Sequence, residues 1–174
     1  MKAILETGRL RLRPLTLADT TFIIELLNSP GWLKYIGDRN VRTETEAVVY
    51  LENGPLASYE KNGYGLYLVE RKEDSLRIGM CGILKRDELD TPDIGYALLP
   101  EYHGMGYARE IASATLLYAK EKLGLPLVAA IVQPDNERSI ALLKKSGFSF
   151  EKMFSFQGKE ELLELYKKEF STIS

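Results

Sequence analysis

A chain of 174 residues with 45% hydrophobic and 28% charged side chains has the make-up of a soluble globular protein. At that length it can bury about two-thirds of its unfolded surface. A formal net charge of −2 offers no basic field for nucleic acid, and the longest apolar runs, such as LVAAIV at 127–132, fall far short of a bilayer span of ~20 residues. One cysteine, Cys81, and one histidine, His103, exclude a disulfide framework and leave too few ligands for a structural zinc site or a histidine-based triad. Charges interrupt the opening MKAILETGRLRLRP, so no export signal is expected and a cytoplasmic location follows.

In chain order, LRLRPL at 10–15 alternates and predicts a first strand. Thr16 with Asp19 sets up a capping box for a helix carrying Phe22, Ile23, Leu26 and Leu27. SPGW at 29–32 should break that helix, and Thr43 with Glu46 should start a second one bearing Val48, Val49, Leu51 and Leu56. YGLYLVE at 64–70, LRIGMCGILK at 76–85 and DIGYALL at 93–99 predict an antiparallel meander. Ala108, Ile111, Ala112, Thr115, Ala119 and Leu123 then fall on one face of a helix over 106–123, which Gly124-Leu125-Pro126 stops. LVAAIV is a strand buried on both faces, and Pro134-Asp135-Asn136 caps a short helix, ERSIALLKKS, ended by Gly147. FSFEKMFSF and LLELYKKEF close the chain, the second open between helix and strand. The order predicts one mixed α/β domain over residues 1–174, meander first and crossovers later.

Residues 100–107, PEYHGMGY, join a strand to a helix through two glycines. Glycine costs a helix roughly 0.5–1 kcal/mol against alanine, so two of them just ahead of a helix need a reason. Without Cβ atoms at 104 and 106, an anion can reach the four unpaired N–H groups of the first helical turn, at the positive end of the helix dipole. A tight turn with positive φ is the alternative, although it calls for one glycine rather than two. The P-loop pattern fails because no Gly-Lys-Ser/Thr follows, and the dinucleotide fingerprint fails because Arg109 stands where its third glycine belongs.

What HGMGYA at 103–108 does resemble is the Arg/Gln-x-x-Gly-x-Gly/Ala phosphate signature of the GNAT superfamily of acyl-CoA-dependent N-acetyltransferases, with His103 departing at its first position. NERSIALLKKSGF at 136–148 is similar to the family's Asn-x-x-Ser/Ala…Gly-Phe motif. PDIGYALLPEYHGMGYA and ETGRLRLRPLTLAD resemble the subgroup that acetylates ribosomal-protein N-termini. The resemblance implies a mostly antiparallel sheet of about seven strands, splayed in a V and flanked by about four helices. Acetyl-CoA would lie in the gap, its pyrophosphate over His103, Gly104, Met105, Gly106, Tyr107, Ala108 and Arg109. Backbone groups of Ala97, Leu98 and Leu99 would bind pantetheine like an added strand. Asn136 would contact the same arm, or serve only as a helix N-cap.

The implied activity moves an acetyl group to a primary amine, either a protein N-terminal α-amine or a small-molecule amine, by direct attack. No metal, nucleic acid or membrane takes part, and a homodimer is compatible with this. A non-catalytic acyl-CoA-binding module on the same fold is the alternative, favoured by Leu143 standing where many relatives carry a proton-donating tyrosine. By the same resemblance Asp93 is the candidate base, acting through a water, with Glu101 a weaker one; a plain strand-end role for Asp93 also fits. Ser139 matches a serine proposed to steady the leaving thiolate, or is an ordinary residue of the first helical turn; Tyr96, Tyr107 and Tyr166 are further donors, with packing the favoured reading of each. The N–H of Leu98 or Leu99 would polarise the carbonyl. The acceptor would lie over the first two helices, where Trp32 and Tyr35 form an aromatic patch or simply core. Cys81 reads as a buried thiol outside the chemistry.

Overall fold

The structure, a computed structural model, describes residues 2–171. The alternating LRLR forms β2 (Leu10–Arg13), which pairs with a short β1 (Leu5–Glu6) on one side and β3 (Leu66–Arg71) on the other. β4 (Arg77–Leu84) and β5 (Asp93–Leu98) complete the antiparallel meander. β6 (Leu127–Val132) lies beside β5, followed across the sheet by β8 (Leu163–Glu169) and the edge strand β7 (Ser149–Phe154). The sheet thus has eight strands among the described residues, one beyond the expected seven because β1 is too short to show periodicity. The closing LLELYKKEF is a strand: Leu163, Leu165 and Tyr166 are buried, and pairing with β6 runs from Leu127 to Val132.

Between β2 and β3 run α1 (Thr20–Leu27), α2 (Pro30–Tyr35), α3 (Glu44–Leu51) and α4 (Ala57–Asn62). Ser29-Pro30 ends α1 but, contrary to a simple break, opens α2, because proline at the first helical position gives up an N–H that had no partner there. A π-helical stretch, Glu52–Leu56, joins α3 to α4 and carries Pro55 within it. Counted as one rod, α3–α4 brings the helices to five with α5 (Tyr107–Glu121) and α6 (Glu137–Lys145), against about four expected.

The sheet is covered on both faces. Leu68, Met80 and Leu99 face α1–α3 and pack with Phe22, Ile23, Leu26, Trp32 and Leu51. On the other face Cys81, Ile83, Ile94 and Leu98 meet the α5 stripe of Ile111, Ala112, Leu116 and Ala119. Both capping boxes read from the sequence are present, Thr43/Glu46 on α3 and Thr16/Asp19 on a 3₁₀ turn (Leu17–Asp19) that runs into α1 rather than on α1 itself. Asp19 also receives the buried Arg13 guanidinium fork at 2.9 and 3.0 Å, which ties the start of α1 to β2.

The feature that matters for function is one weak seam. β5 and β6 are parallel and share a single register point, Asp93 opposite Ala129, with the Ala129 N–H on the Pro92 carbonyl at 2.9 Å. Beyond it β5 leads toward α5 and β6 toward α6, and the sheet opens into a V.

Candidate active site

On the β5 arm, a 3₁₀ turn (Pro100–Tyr102) leads into the glycine pair and then α5. Gly104 and Gly106 have φ of +76° and +81°, so each is needed for the left-handed backbone, and the turn uses two glycines rather than one. A Cβ at Gly104 would meet nothing within 4 Å, and one at Gly106 only Arg9 Nη2 at 3.4 Å. The space over this loop is open. The His103 N–H is spent on the Pro100 carbonyl at 3.1 Å, and the helix ladder begins with Glu110 N–H on Gly106 at 3.1 Å. Among the described residues, the amides without a protein acceptor therefore run from Gly104 to Arg109, and Gly106 caps α5 with no side chain. His103 falls outside this set.

His103 instead folds back, its Nε2–H donating to the Leu98 carbonyl at 3.0 Å. The edge of β5 is also narrower than the resemblance implies. The Leu99 N–H donates to Ile78 at 2.8 Å, inside the β4–β5 ladder. Strand alternation turns Ala97 the same way, and puts the main chain of Tyr96 and Leu98 on the gap. Of Ala97, Leu98 and Leu99, only Leu98 thus presents its N–H to the opening, and Leu99 drops out as a carbonyl-polarising donor.

The other arm supplies side chains. Asn136 is the N-cap of α6, its Oδ1 accepting the Ser139 N–H at 3.2 Å, and its Nδ2 has no protein partner among the described residues. Ser139 Oγ lies 2.7 Å from the Tyr96 hydroxyl, a contact that crosses from α6 to β5. Burial pushes the Tyr96 phenol up to about 12. The other two tyrosines are engaged elsewhere: Arg9 stacks over the Tyr107 ring at 4.3 Å, and Tyr166 donates to Glu164 at 2.8 Å. Leu143 is buried in the core, and Glu101 is exposed on the 3₁₀ turn.

At the fork, Asp93 is only 1% exposed, and its two oxygens share one donor, Arg86 Nε, at 3.1 and 3.2 Å. A single shared N–H compensates a buried carboxylate less than the two-pronged guanidinium fork does. Burial therefore wins over Arg86, and the acid is pushed up to about 6. The buried Cys81 thiol, 3.2 Å from Thr115 Oγ1, is pushed up to about 12 and is no nucleophile. Trp32 is core on the α1–α3 face, whereas Tyr35 is partly exposed.

Three contacts escape the sequence. Arg86, Tyr96 with Ser139, and Arg9 on the Met105 carbonyl at 3.0 Å each join residues far apart in the chain or across a turn. The charged run LKRDELD after β4 was the only available hint for the first. Among the described residues no helix is long and apolar enough to cross a membrane, and no group of acidic, histidine or cysteine side chains stands together as metal ligands.

A sheet split at one register point, with a glycine-shaped helix start on one arm, is the architecture of the acyl-CoA-dependent transferases. Residues 9–149 match the acetyltransferase (GNAT) domain. The N-acetyltransferase YoaA of Bacillus subtilis (strain 168) is 32% identical over 152 residues, which cover 87% of this chain and 85% of YoaA. The solved acetyltransferase of Agrobacterium tumefaciens str. C58 superposes with a TM-score of 0.80 at 26% identity, over 95% of this chain and 94% of that one. RimL, a ribosomal α-N-protein acetyltransferase in complex with coenzyme A, gives 0.80 at 16% identity over 97% and 98%, a likeness of fold. The chain belongs to the GNAT acetyltransferase family and is an acyl-CoA-dependent acetyltransferase.

Proposed function

We propose that the protein moves the acetyl group of acetyl-CoA to a primary amine by direct attack, with a protein N-terminal α-amine as the favoured acceptor. The observation that carries this reading is the open run of amides from Gly104 to Arg109 at the rim of the V. Donors at a helix N-terminus with no protein acceptor suit a diphosphate. Leu98 would pair with pantetheine and polarise the thioester carbonyl, and the Asn136 Nδ2 would reach the same arm from the other side. The cosubstrate supplies the activated acyl group; the protein supplies position, a base and a place for the departing charge.

Asp93 is the proposed base, acting through a water at the fork. A carboxylate whose acid titrates near 6 accepts a proton from an α-amine of about 7.7–8.0 against a gap of roughly two units. A lysine at about 10.4 would face more than four, or roughly 3.5 kcal/mol more. That difference favours the α-amine, or a small amine of equally low basicity. Ser139, on the arm opposite Leu98, would steady the leaving thiolate.

Calorimetry with acetyl-CoA and ATP, followed by CoA-release assays and mass spectrometry on a panel of peptides and polyamines, tests the reading. Acetyl-CoA should bind, ATP should not, and peptides should gain one acetyl group at the N-terminus. Binding without turnover on any amine would leave an acyl-CoA sensor; preference for polyamines would move the acceptor class.

A further inference from the structure

Resting on that reading of the gap, we propose that Tyr96 is a positioning residue: it fixes the direction of the Ser139 hydroxyl, so that the serine hydrogen points into the gap at the departing sulfur. The 2.7 Å contact between Tyr96 Oη and Ser139 Oγ joins the two arms of the V, β5 to the first turns of α6. A largely desolvated phenol needs a partner for its O–H, and Ser139 is the one that the half-buried Tyr96 has among the described residues.

A serine hydroxyl carries one hydrogen and accepts through its lone pairs. Were that hydrogen given to Tyr96, nothing would remain for a ligand. Burial holds the phenol protonated far above neutral pH, so the tyrosine always brings its own hydrogen to the pair. In the proposed arrangement the phenol, whose O–H has Ser139 as its partner, donates to Ser139 Oγ, and the serine hydrogen is released toward the opening. The Ser139 N–H is already fixed on Asn136 Oδ1 at 3.2 Å, which holds the residue in place from its backbone side. The Cys81 thiol of β4, the other titratable group near the phenol, is itself held protonated by burial and does not compete for the role of base.

The same burial disfavours Tyr96 as the acid. A phenol near 12 does not surrender its proton to a thiolate whose own acid lies at about 8.5. In the step itself the amine nitrogen bonds to the acetyl carbon and the carbon–sulfur bond breaks. Sulfur leaves with the electron pair as a thiolate. The surplus proton on nitrogen passes to the base at Asp93. Sulfur receives a hydrogen bond from Ser139 Oγ–H and takes its proton later from solvent. Tyr96 keeps its proton throughout.

The test needs no acceptor. CoA affinity is measured by calorimetry from pH 7 to pH 9.5 for the wild type, Tyr96→Phe, Ser139→Ala and the double variant, with acetyl-CoA as the thiol-free control. Ultraviolet absorbance of the bound thiolate gives a second readout. The wild type should gain about tenfold in CoA affinity over that range, while acetyl-CoA stays flat and all three variants lose the gain. The double variant should be no worse than either single one. Equal pH dependence in Tyr96→Phe and the wild type overturns the proposal. A flat wild-type profile overturns it as well, whether or not a variant folds. Failure of the wild type to bind CoA at any pH is a different result, and sinks the proposed function itself.

Discussion

The two arms of the V are built on opposite plans. β5 is locked to β4 over six register pairs, from Leu84–Asp93 to Gly79–Leu98, and what this arm offers a ligand directly is main chain, the Leu98 N–H and then the amides of 104–109, its Tyr96 hydroxyl acting only through Ser139. The β6 arm offers functional groups on α6, the Asn136 amide and the Ser139 hydroxyl. On the first arm, residue identity matters through the conformation it permits. On the second, it matters through the atoms it carries. Substitutions should therefore fail in different ways on the two sides, and hardest at the fork where they meet.

The fork gives the largest expected effect. Asp93→Asn should lower kcat/KM by about 10²–10⁴, the usual worth of a general base. In the wild type the rate should fall as pH drops through about 6, where Asp93 gains its proton, and this acid limb should vanish in the variant. Stability should move the other way. The folded protein raises this acid from 3.8 to about 6, so it favours the neutral form. The stabilisation is complete below about 4 and is lost as pH rises through about 6, leaving the charged form at pH 7 disfavoured by roughly 3 kcal/mol. A neutral, isosteric asparagine removes that penalty, while Arg86, partly exposed, keeps its hydration. Asp93→Asn should thus melt no lower than the wild type at pH 7. A variant that melts lower and retains the acid limb would make Asp93 a structural residue only.

On the backbone arm, Gly106→Val puts a branched side chain at a φ of +81°, where an L-residue is strained by about 1–2 kcal/mol, and into the open space over the loop. Strain alone lowers stability. Obstruction of the cradle should also weaken acetyl-CoA by about ten- to a hundredfold, the loss of one or two charge-assisted hydrogen bonds. Gly124→Val separates the two effects, since Gly124 has a similar φ of +65° and open surroundings just beyond the far end of α5. It should lose comparable stability with affinity unchanged. Equal affinities in both variants would reduce the glycine loop to a turn.

How much of this was legible in the sequence follows the same divide. Periodicity and capping located α1, α3, α5, α6 and the meander, though not the short α2, because these are written in neighbouring residues: Thr16 with Asp19, Thr43 with Glu46, and the apolar stripe of α5. The glycine loop was legible too, since positive φ leaves a mark in residue choice. Which edge of β5 faces the gap was not. That depends on the register against β4, a long-range property, and a shift of one residue exchanges Leu98 for Leu99. Nor could spacing disclose that Arg86 would sit on Asp93 or Tyr96 on Ser139, the latter 43 residues apart. The strand at 163–169 stayed open because its pattern fits either period until β6 offers it an edge.

Asn136 is where the two plans overlap, and it gives the smallest effect. Its Oδ1 serves the fold as a cap, and its Nδ2 is left for chemistry. Asn136→Ser keeps a good cap and deletes the amide donor, so stability should change by only a few tenths of a kcal/mol. Acetyl-CoA should bind some two- to tenfold more weakly, the worth of one neutral hydrogen bond of about 0.5–1.5 kcal/mol. Asn136→Ala removes both functions, adding about 1 kcal/mol of lost stability to the same loss of affinity. Chemical denaturation and calorimetry read the two quantities separately. If the serine variant binds as the wild type does and only the alanine variant is weakened, then Asn136 acts on the ligand through the start of α6 alone, and the side-chain arm contributes through Ser139 by itself.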